Sequence, residues 1–238
     1  MAKISREKFK VLEGVFDEKT LETLEFLRRK KYYDELGSAI KTGKEGDVYH
    51  ATLDNEPRAV KMYRVTSANF KKISQYIIRD FRFKSIKGNM RKVIMAWAQK
   101  EFRNLSICHK NNMNVPYPYK QANNVIIMEY IDGGMLKDIQ IEDPEEFFEL
   151  LMEQMLIMKD ECKLIHGDLS EFNIMVQDQM PYIIDVGQAM QFKDKLDFED
   201  FYDLYHRDIK NVVNYFNKRY DLGLVLDEVL ERLGPVEE

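Results

Sequence analysis

Between His166 and Gly187 the chain reads H-G-D-L-S-E-F-N-I-M-V-Q-D-Q-M-P-Y-I-I-D-V-G. Two short apolar runs, Ile174–Val176 and Tyr182–Ile184, predict a small hairpin. An acid and an amide, Asp168 and Asn173, precede it, and a second acid, Asp185, closes it. Asp185 ends an apolar run, where an unpaired charge is costly to bury. Carboxylate and amide oxygens are hard ligands of the kind Mg²⁺ takes. A loose, phosphate-centred transition state asks for positioning and charge neutralisation more than for covalent chemistry. The stretch therefore has the skeleton of a phosphoryl-transfer site, although the Asp/Asn pair alone also suits an ordinary polar loop.

The spacing Asp168…Asn173…Asp185 is similar to the arrangement in protein kinases, which makes three demands upstream: a glycine turn, a strand lysine and a helix glutamate. All three occur in order. The turn is Thr42-Gly43-Lys44-Glu45-Gly46-Asp47-Val48, whose glycines allow close backbone approach. It departs from the kinase G-x-G-x-x-G because Lys41 stands at the first position, and Gly-x-x-Gly also suits a plain β-turn. The lysine is Lys61, in the run Ala59-Val60-Lys61-Met62-Tyr63. The glutamate is Glu101. From Met90 to Lys110, Ile94, Trp97, Glu101, Leu105 and Cys108 share one helical face, which puts Glu101 inside an apolar stripe. A carboxylate there needs a cation. Lys61 is the natural candidate, with a basic neighbour on the same helix as the alternative. The apolar strand Val125–Ile131 then runs into Asp132-Gly133-Gly134, a hinge between two lobes.

These residues resemble the RIO family of atypical protein kinases, most closely its first subgroup. The resemblance rests on T-G-K-E-G-D-V-Y (42–49), A-V-K-M-Y (59–63), W-A-Q-K-E-F-R-N-L (97–105), H-G-D-L-S-E-F-N (166–173) and I-I-D-V-G-Q-A (183–189). Gly46-Asp47 replaces the family's usual Ala-Asn, and Gly187 its usual Ser. The first 36 residues are too few for the winged-helix module of the second subgroup. The family implies an ATP- and Mg²⁺-dependent (or Mn²⁺-dependent) serine/threonine protein kinase that autophosphorylates on serine and takes part in small ribosomal subunit maturation. It implies that Gly43, Lys44, Glu45, Gly46 and Val48 cover the phosphates and that Lys61, oriented by Glu101, contacts them. Asp168 becomes the catalytic acid–base, and Asn173 and Asp185 the metal ligands. Adenine is read by the Glu129 carbonyl and the Ile131 N–H, with Met128 at the back of the pocket. An ATPase cycle through a phosphorylated Asp185 is a further implication, with a pure metal-ligand role as the simpler reading.

His206-Arg207-Asp208 spells the H-R-D of conventional kinases more literally than His166-Gly167-Asp168 does. Five residues beyond Asp208 stands Val213 rather than Asn, and no apolar strand ending in Asp follows. Phe201, Leu204, Tyr205, Ile209, Val212, Val213 and Phe216 instead recur at helical spacing, so the segment reads as an amphipathic helix with structural polar groups.

Net charge is −5 and pI about 5.6, which argues against a general nucleic-acid binder. Yet Lys61 to Arg103 holds twelve basic residues against Asp80 and Glu101. Such a stripe suits rRNA or acidic partners, or a solvated insert. The segment Ser67–Asn89 carries Ser67, Ser74 and Ser85 and little strand periodicity, and reads as a flexible loop with an autophosphorylation site. Cys108 and Cys162 lack metal-ligand spacing and read as buried, reduced thiols of a cytoplasmic protein. Neither a membrane span nor a signal peptide is visible.

The expected fold is α+β and bilobal, kinase-like, with a small antiparallel-sheet N-lobe and a truncated, mainly helical C-lobe. Its divisions are an N-terminal helical extension (1–36, amphipathic over Glu18–Tyr33), an N-lobe (37–131, with the basic insert at about 66–89) and a C-lobe (132–238). The C-lobe opens on a helix capped by Asp143, with Pro144 at N1 and Glu146 at N3. Only about fifty residues follow Asp185, and no A-P-E sequence, so an extended-peptide docking platform is not expected. Two rivals remain at this stage: an ATP-gated ribosome assembly factor, and a small-molecule phosphotransferase with an H-G-D-x-x-x-x-N loop.

Overall fold

A computed structural model of the chain describes residues 16–43, 46–65, 70–83 and 89–234. The chain divides into two compact units, residues 1–103 with 117–130, and residues 104–116 with 131–238.

The first unit is built on a five-stranded antiparallel sheet of order β1-β2-β3-β5-β4: β1 (Glu35–Thr42), β2 (Gly46–Leu53), β3 (Glu56–Tyr63), β4 (Pro118–Ala122) and β5 (Val125–Glu129). The β2–β3 turn places Asp54 and Asn55 at φ 51° and 70°, the left-handed pair that suits a two-residue hairpin. Alternation along β3 sends Val60 and Met62 to one face and Lys61 and Tyr63 to the other. On the first face Val60, Met62, Val125 and Ile127 pack with Leu21, Leu24 and Leu27 of α1 (Glu18–Arg29). Tyr33 Oη also donates to Leu24 O at 3.0 Å. The N-terminal helix is thus part of this unit's core. On the second face Tyr63 and Ile126 pack with Ile73 and Ile77 of α2 (Phe70–Arg79) and with Ile94, Trp97 and Ala98 of α3 (Met90–Lys110).

Helix α2 corrects the expectation of a loop over the basic insert. Its apolar residues Ile73, Tyr76 and Ile77 recur at helical spacing, masked in the sequence by the basic residues between them. Ser67 and Ser85 lie outside the described residues, and Ser74 is a half-buried residue of α2. Nor is the insert a wholly solvated stripe. Asp80 is fully buried and takes two hydrogen bonds from the Arg82 guanidinium, at 2.9 and 2.6 Å, and one from Arg82 N at 3.0 Å, while Lys100 Nζ lies 3.7 Å away and is itself fully buried.

In the second unit, Asp143 caps α4 (Pro144–Asp160) by accepting from Glu146 N at 2.9 Å. Phe147 and Phe148 of α4 pack against Phe216 of α6 (Tyr202–Tyr220), with ring centroids 6.2 and 5.3 Å apart. A three-stranded sheet of order β6-β8-β9 joins Gly134–Met135, Ile174–Gln177 and Met180–Ile183. A two-stranded ladder pairs β7 (Leu164–Ile165) with β10 (Met190–Gln191). Helices α5 (Lys195–Glu199) and α7 (Leu226–Leu233) complete it. Residues 104–116, expected in the N-lobe, belong to this unit because Asn104 bonds into it. Among the described residues no helix is long and apolar enough to cross a membrane.

Burial pushes the Lys100 ammonium from its ordinary 10.5 down to about 7, with Asp80 opposing. Above that pH the unfolded chain holds a proton that the folded chain lacks, so this group makes stability climb between pH 7 and 10. Lys100→Met is expected to flatten that climb in urea-unfolding curves taken across the range.

Candidate phosphoryl-transfer site

Asp168, Asn173 and Asp185 all lie in the second unit, on and beside the loop from β7 to β8. Asp168 is half-buried. Asn173 is buried and donates Nδ2 to Asp168 O at 2.8 Å, which commits its nitrogen and leaves Oδ1 as the atom able to meet a cation. Asp185 is exposed rather than buried at the end of its strand, and has φ 62°, a left-handed conformation that Asp adopts more readily than most residues with a Cβ. Carboxylate and amide oxygens are hard donors of the kind Mg²⁺ takes.

The loop is fixed from α6. Asp208 is buried and accepts from Gly167 N at 2.7 Å and Leu169 N at 2.9 Å. Arg207 donates to Gly167 O, and Asn211 to Leu169 O at 3.1 Å. Both neighbours of Asp168 thus have their N–H and C=O held by one helix. Burial pushes the Asp208 carboxyl up, and His166, the two amides and Arg207 oppose that shift. Gly167 has φ 77°, which explains glycine there. His166 Nε2 meets Ile184 O at 3.0 Å, and since a carbonyl only accepts, Nε2 carries the hydrogen. That contact and the Ile184 N to Asn173 O bond of 3.0 Å tie the loop to the strand before Asp185.

Beyond Asp185, the fully buried Asn104 donates Nδ2 to Val186 O at 2.8 Å and to Ala189 O at 3.2 Å. Between those carbonyls Gln188 donates Nε2 to Asp168 Oδ2 at 2.9 Å. The sequence reading passed over Asn104 and Gln188, and read His206–Asp208 only as helix-borne structural residues. A charged residue at position 208, in register with Tyr205 and Val212 on an apolar face, was the available signal for a loop anchor.

The remaining candidates lie in the first unit, except Ile131, which opens the second. Lys61 Nζ donates to Glu101 Oε1 at 2.7 Å, with side-chain exposures of 12% and 1%. Across β2–β3, Val48 sits opposite Lys61. In the glycine turn Gly43 N donates to Asp47 Oδ1 at 3.2 Å. Arg64 grips the buried Asp47 through Nε at 2.9 Å and Nη2 at 2.8 Å. A Cβ at Gly46 would collide with the Met62 carbonyl across the ladder. Lys44 and Glu45 lie outside the described residues. Met128 packs against the α3 side of the sheet, and Glu129 pairs with Arg58.

A sheet-based unit carrying a lysine–glutamate pair and a helical unit carrying the Asp–Asn–Asp loop define a bilobal, kinase-like α+β enzyme. A family model described as the RIO domain matches residues 47–228. The RIO-type serine/threonine-protein kinase Rio1 of Methanocaldococcus jannaschii is 37% identical over 90% of this chain and 73% of that protein. The human serine/threonine-protein kinase RIO1 is 31% identical over 92% of this chain but only 40% of that longer protein. Among solved structures, the ADP/Mg²⁺-phosphoaspartate complex of the Rio2 kinase from Chaetomium thermophilum superposes with a TM-score of 0.67 at 22% identity, over 89% of this chain and 65% of that one. The chain belongs to the RIO family, and with it to the serine/threonine protein kinases.

Asp208→Ala leaves the buried Gly167 and Leu169 amides without their acceptor. It is expected to cost about 1–3 kcal/mol per orphaned group. Loss of protection at those two amides in hydrogen exchange is the direct check, and unchanged protection would refute the anchor.

Proposed function

We propose that the chain transfers the γ-phosphoryl group of ATP to serine hydroxyls on itself and on other proteins, with Asp168 as the acid–base. The observation that carries this reading is the half-buried Asp168 on a loop whose flanking backbone groups are all held by α6. A general base works only from a defined position within hydrogen-bond reach of its proton. In the proposed roles Lys61, held by Glu101, neutralises phosphate charge; Gly43 and its neighbours approach the phosphates through backbone; Glu129 and Ile131 offer their backbone groups to adenine beside Met128. Asn173 and Asp185 supply oxygen ligands for Mg²⁺, whose chemistry there is to neutralise the charge on the β- and γ-phosphates.

Two observations favour a second reading, an ATPase cycle that gates association with a partner. Asp185 is exposed with a left-handed backbone, and the Rio2 kinase of Chaetomium thermophilum has been solved as a phosphoaspartate complex. Within the proposal the partner is the maturing small ribosomal subunit. Its rRNA would meet less of the basic stripe than the sequence suggests. Lys61, Arg64, Arg82 and Arg91 are paired with Glu101, Asp47, Asp80 and Asp17 at 2.6–2.8 Å.

With γ-labelled ATP and Mg²⁺, Asp168→Asn is expected to abolish phosphoserine while leaving ATP affinity within a few-fold, and Asp185→Asn to weaken Mg²⁺-dependent nucleotide binding. Acid-stable phosphoserine, labile acyl phosphate and free phosphate are measured together. Acyl phosphate and free phosphate without phosphoserine would replace the kinase reading with the ATPase one.

A further inference from the structure

We propose that Gln188 is a positioning residue that holds the Asp168 carboxylate in its working orientation. The inference rests on Asp168 being the acid–base of the reaction.

The α6 bonds and the Asn173 bond reach only the backbone around Asp168, and leave its χ1 free among staggered rotamers and its χ2 free to turn broadly. Among the described residues, Gln188 Nε2 is the donor that engages the carboxylate itself, at Oδ2 and 2.9 Å. One oxygen is thereby pinned, and Oδ1 is left to face an acceptor hydroxyl. The backbone that carries the donor is itself held. The carbonyls before and after it, Val186 O and Ala189 O, both accept from the fully buried Asn104, and Ala189 N closes the turn onto Val186 O at 3.1 Å.

Amide orientation follows from the same chemistry. Turned over, Gln188 would present Oε1 to a carboxylate oxygen, acceptor against acceptor. In the orientation present, Oε1 is buried and finds no donor among the described residues. A buried acceptor without a partner lowers stability, so packing does not account for an amide at this position; an apolar side chain of similar length would be better tolerated. Its contribution is the single bond to Asp168.

The test compares the full chain with Gln188→Met, which keeps length and removes the donor, and Gln188→Glu, which keeps the shape and sets a carboxylate against Asp168. Readouts are the autophosphorylation rate at saturating ATP, the apparent KM for ATP and the melting temperature. Gln188→Met is expected to lower the rate about tenfold, part of the roughly hundred- to ten-thousand-fold that a positioned general base contributes. KM should stay within about twofold, because the phosphate and adenine contacts are untouched, and the melting temperature should not fall. Gln188→Glu should be slower still despite its shape. A Gln188→Met rate within twofold of wild type, or losses that follow melting temperature with Gln188→Glu least affected, would overturn the proposal. Asp168→Ala is run beside them. If it keeps its rate, the reading of the site fails; if it is inactive while Gln188→Met is normal, only the role of Gln188 fails.

Discussion

The need to satisfy backbone groups out of water governs the loop on which the site depends. Gly167 and Leu169 must be packed under Asp168 for the carboxylate to have a fixed address, and their N–H and C=O groups must find partners there. Asp208, Arg207 and Asn211 meet that need from one helix turn. Asp208 is affordable only because of those amides, since burial alone raises the energy of its ionised form. The helix is in turn secured by Ile209, Val212, Val213 and Phe216 on its buried face. The position of Asp168 is therefore inherited from a hydrophobic core through a set of hydrogen bonds, not from the loop's own sequence.

The first unit solves a comparable problem with ion pairs. Its sheet is covered on both faces, so any charge projecting from it is partly desolvated and needs a counter-ion. Lys61 finds Glu101, Asp47 finds Arg64, and Asp80 finds Arg82 and Lys100. The three pairs have different consequences. Lys61–Glu101 crosses from sheet to helix and orients an ammonium. Asp47–Arg64 also reaches Gly43 N and so stiffens the glycine turn. The Asp80 cluster joins the insert to α3, one residue from Glu101. Removing Asp80 would strip Arg82 and Lys100 of their shared counter-ion beside the helix that carries that glutamate.

Features that break a local pattern were legible in the sequence. Glu101 stands in an apolar stripe, Asp143 precedes Pro144 at the start of a periodic run, and Asp168, Asn173 and Asp185 bracket two apolar strands. Each is an exception whose cost points to a partner. Helix α2 was missed because Lys71, Lys72 and Arg79 dominate the composition of a segment in which Ile73, Tyr76 and Ile77 carry the period. The hold of α6 on the loop was missed because Asp208 lies 41 residues from Gly167 in sequence and its partners are backbone groups, which leave no mark in side-chain pattern. Asn104 and Gln188 are neutral, and neutral polar residues suit solvent as readily as a buried bond. Their meaning exists only once the turn 186–189 is in place.

Departures from ideal structure in the second unit recur beside Asp168. Asp185 holds a left-handed backbone, as do Asp178, Gln179 and Asp221 elsewhere in the unit. His166 Nδ1 and Gln188 Oε1 are buried without partners among the described residues. An apolar side chain at 188 would remove one unpartnered acceptor, and the amide kept beside Asp168 marks where local stability has been given up for geometry. His166 ties the loop to the strand before Asp185, and Gln188 ties the strand's far end back to the loop. With the Ile184 N to Asn173 O bond, these contacts link the segments that carry the two acids.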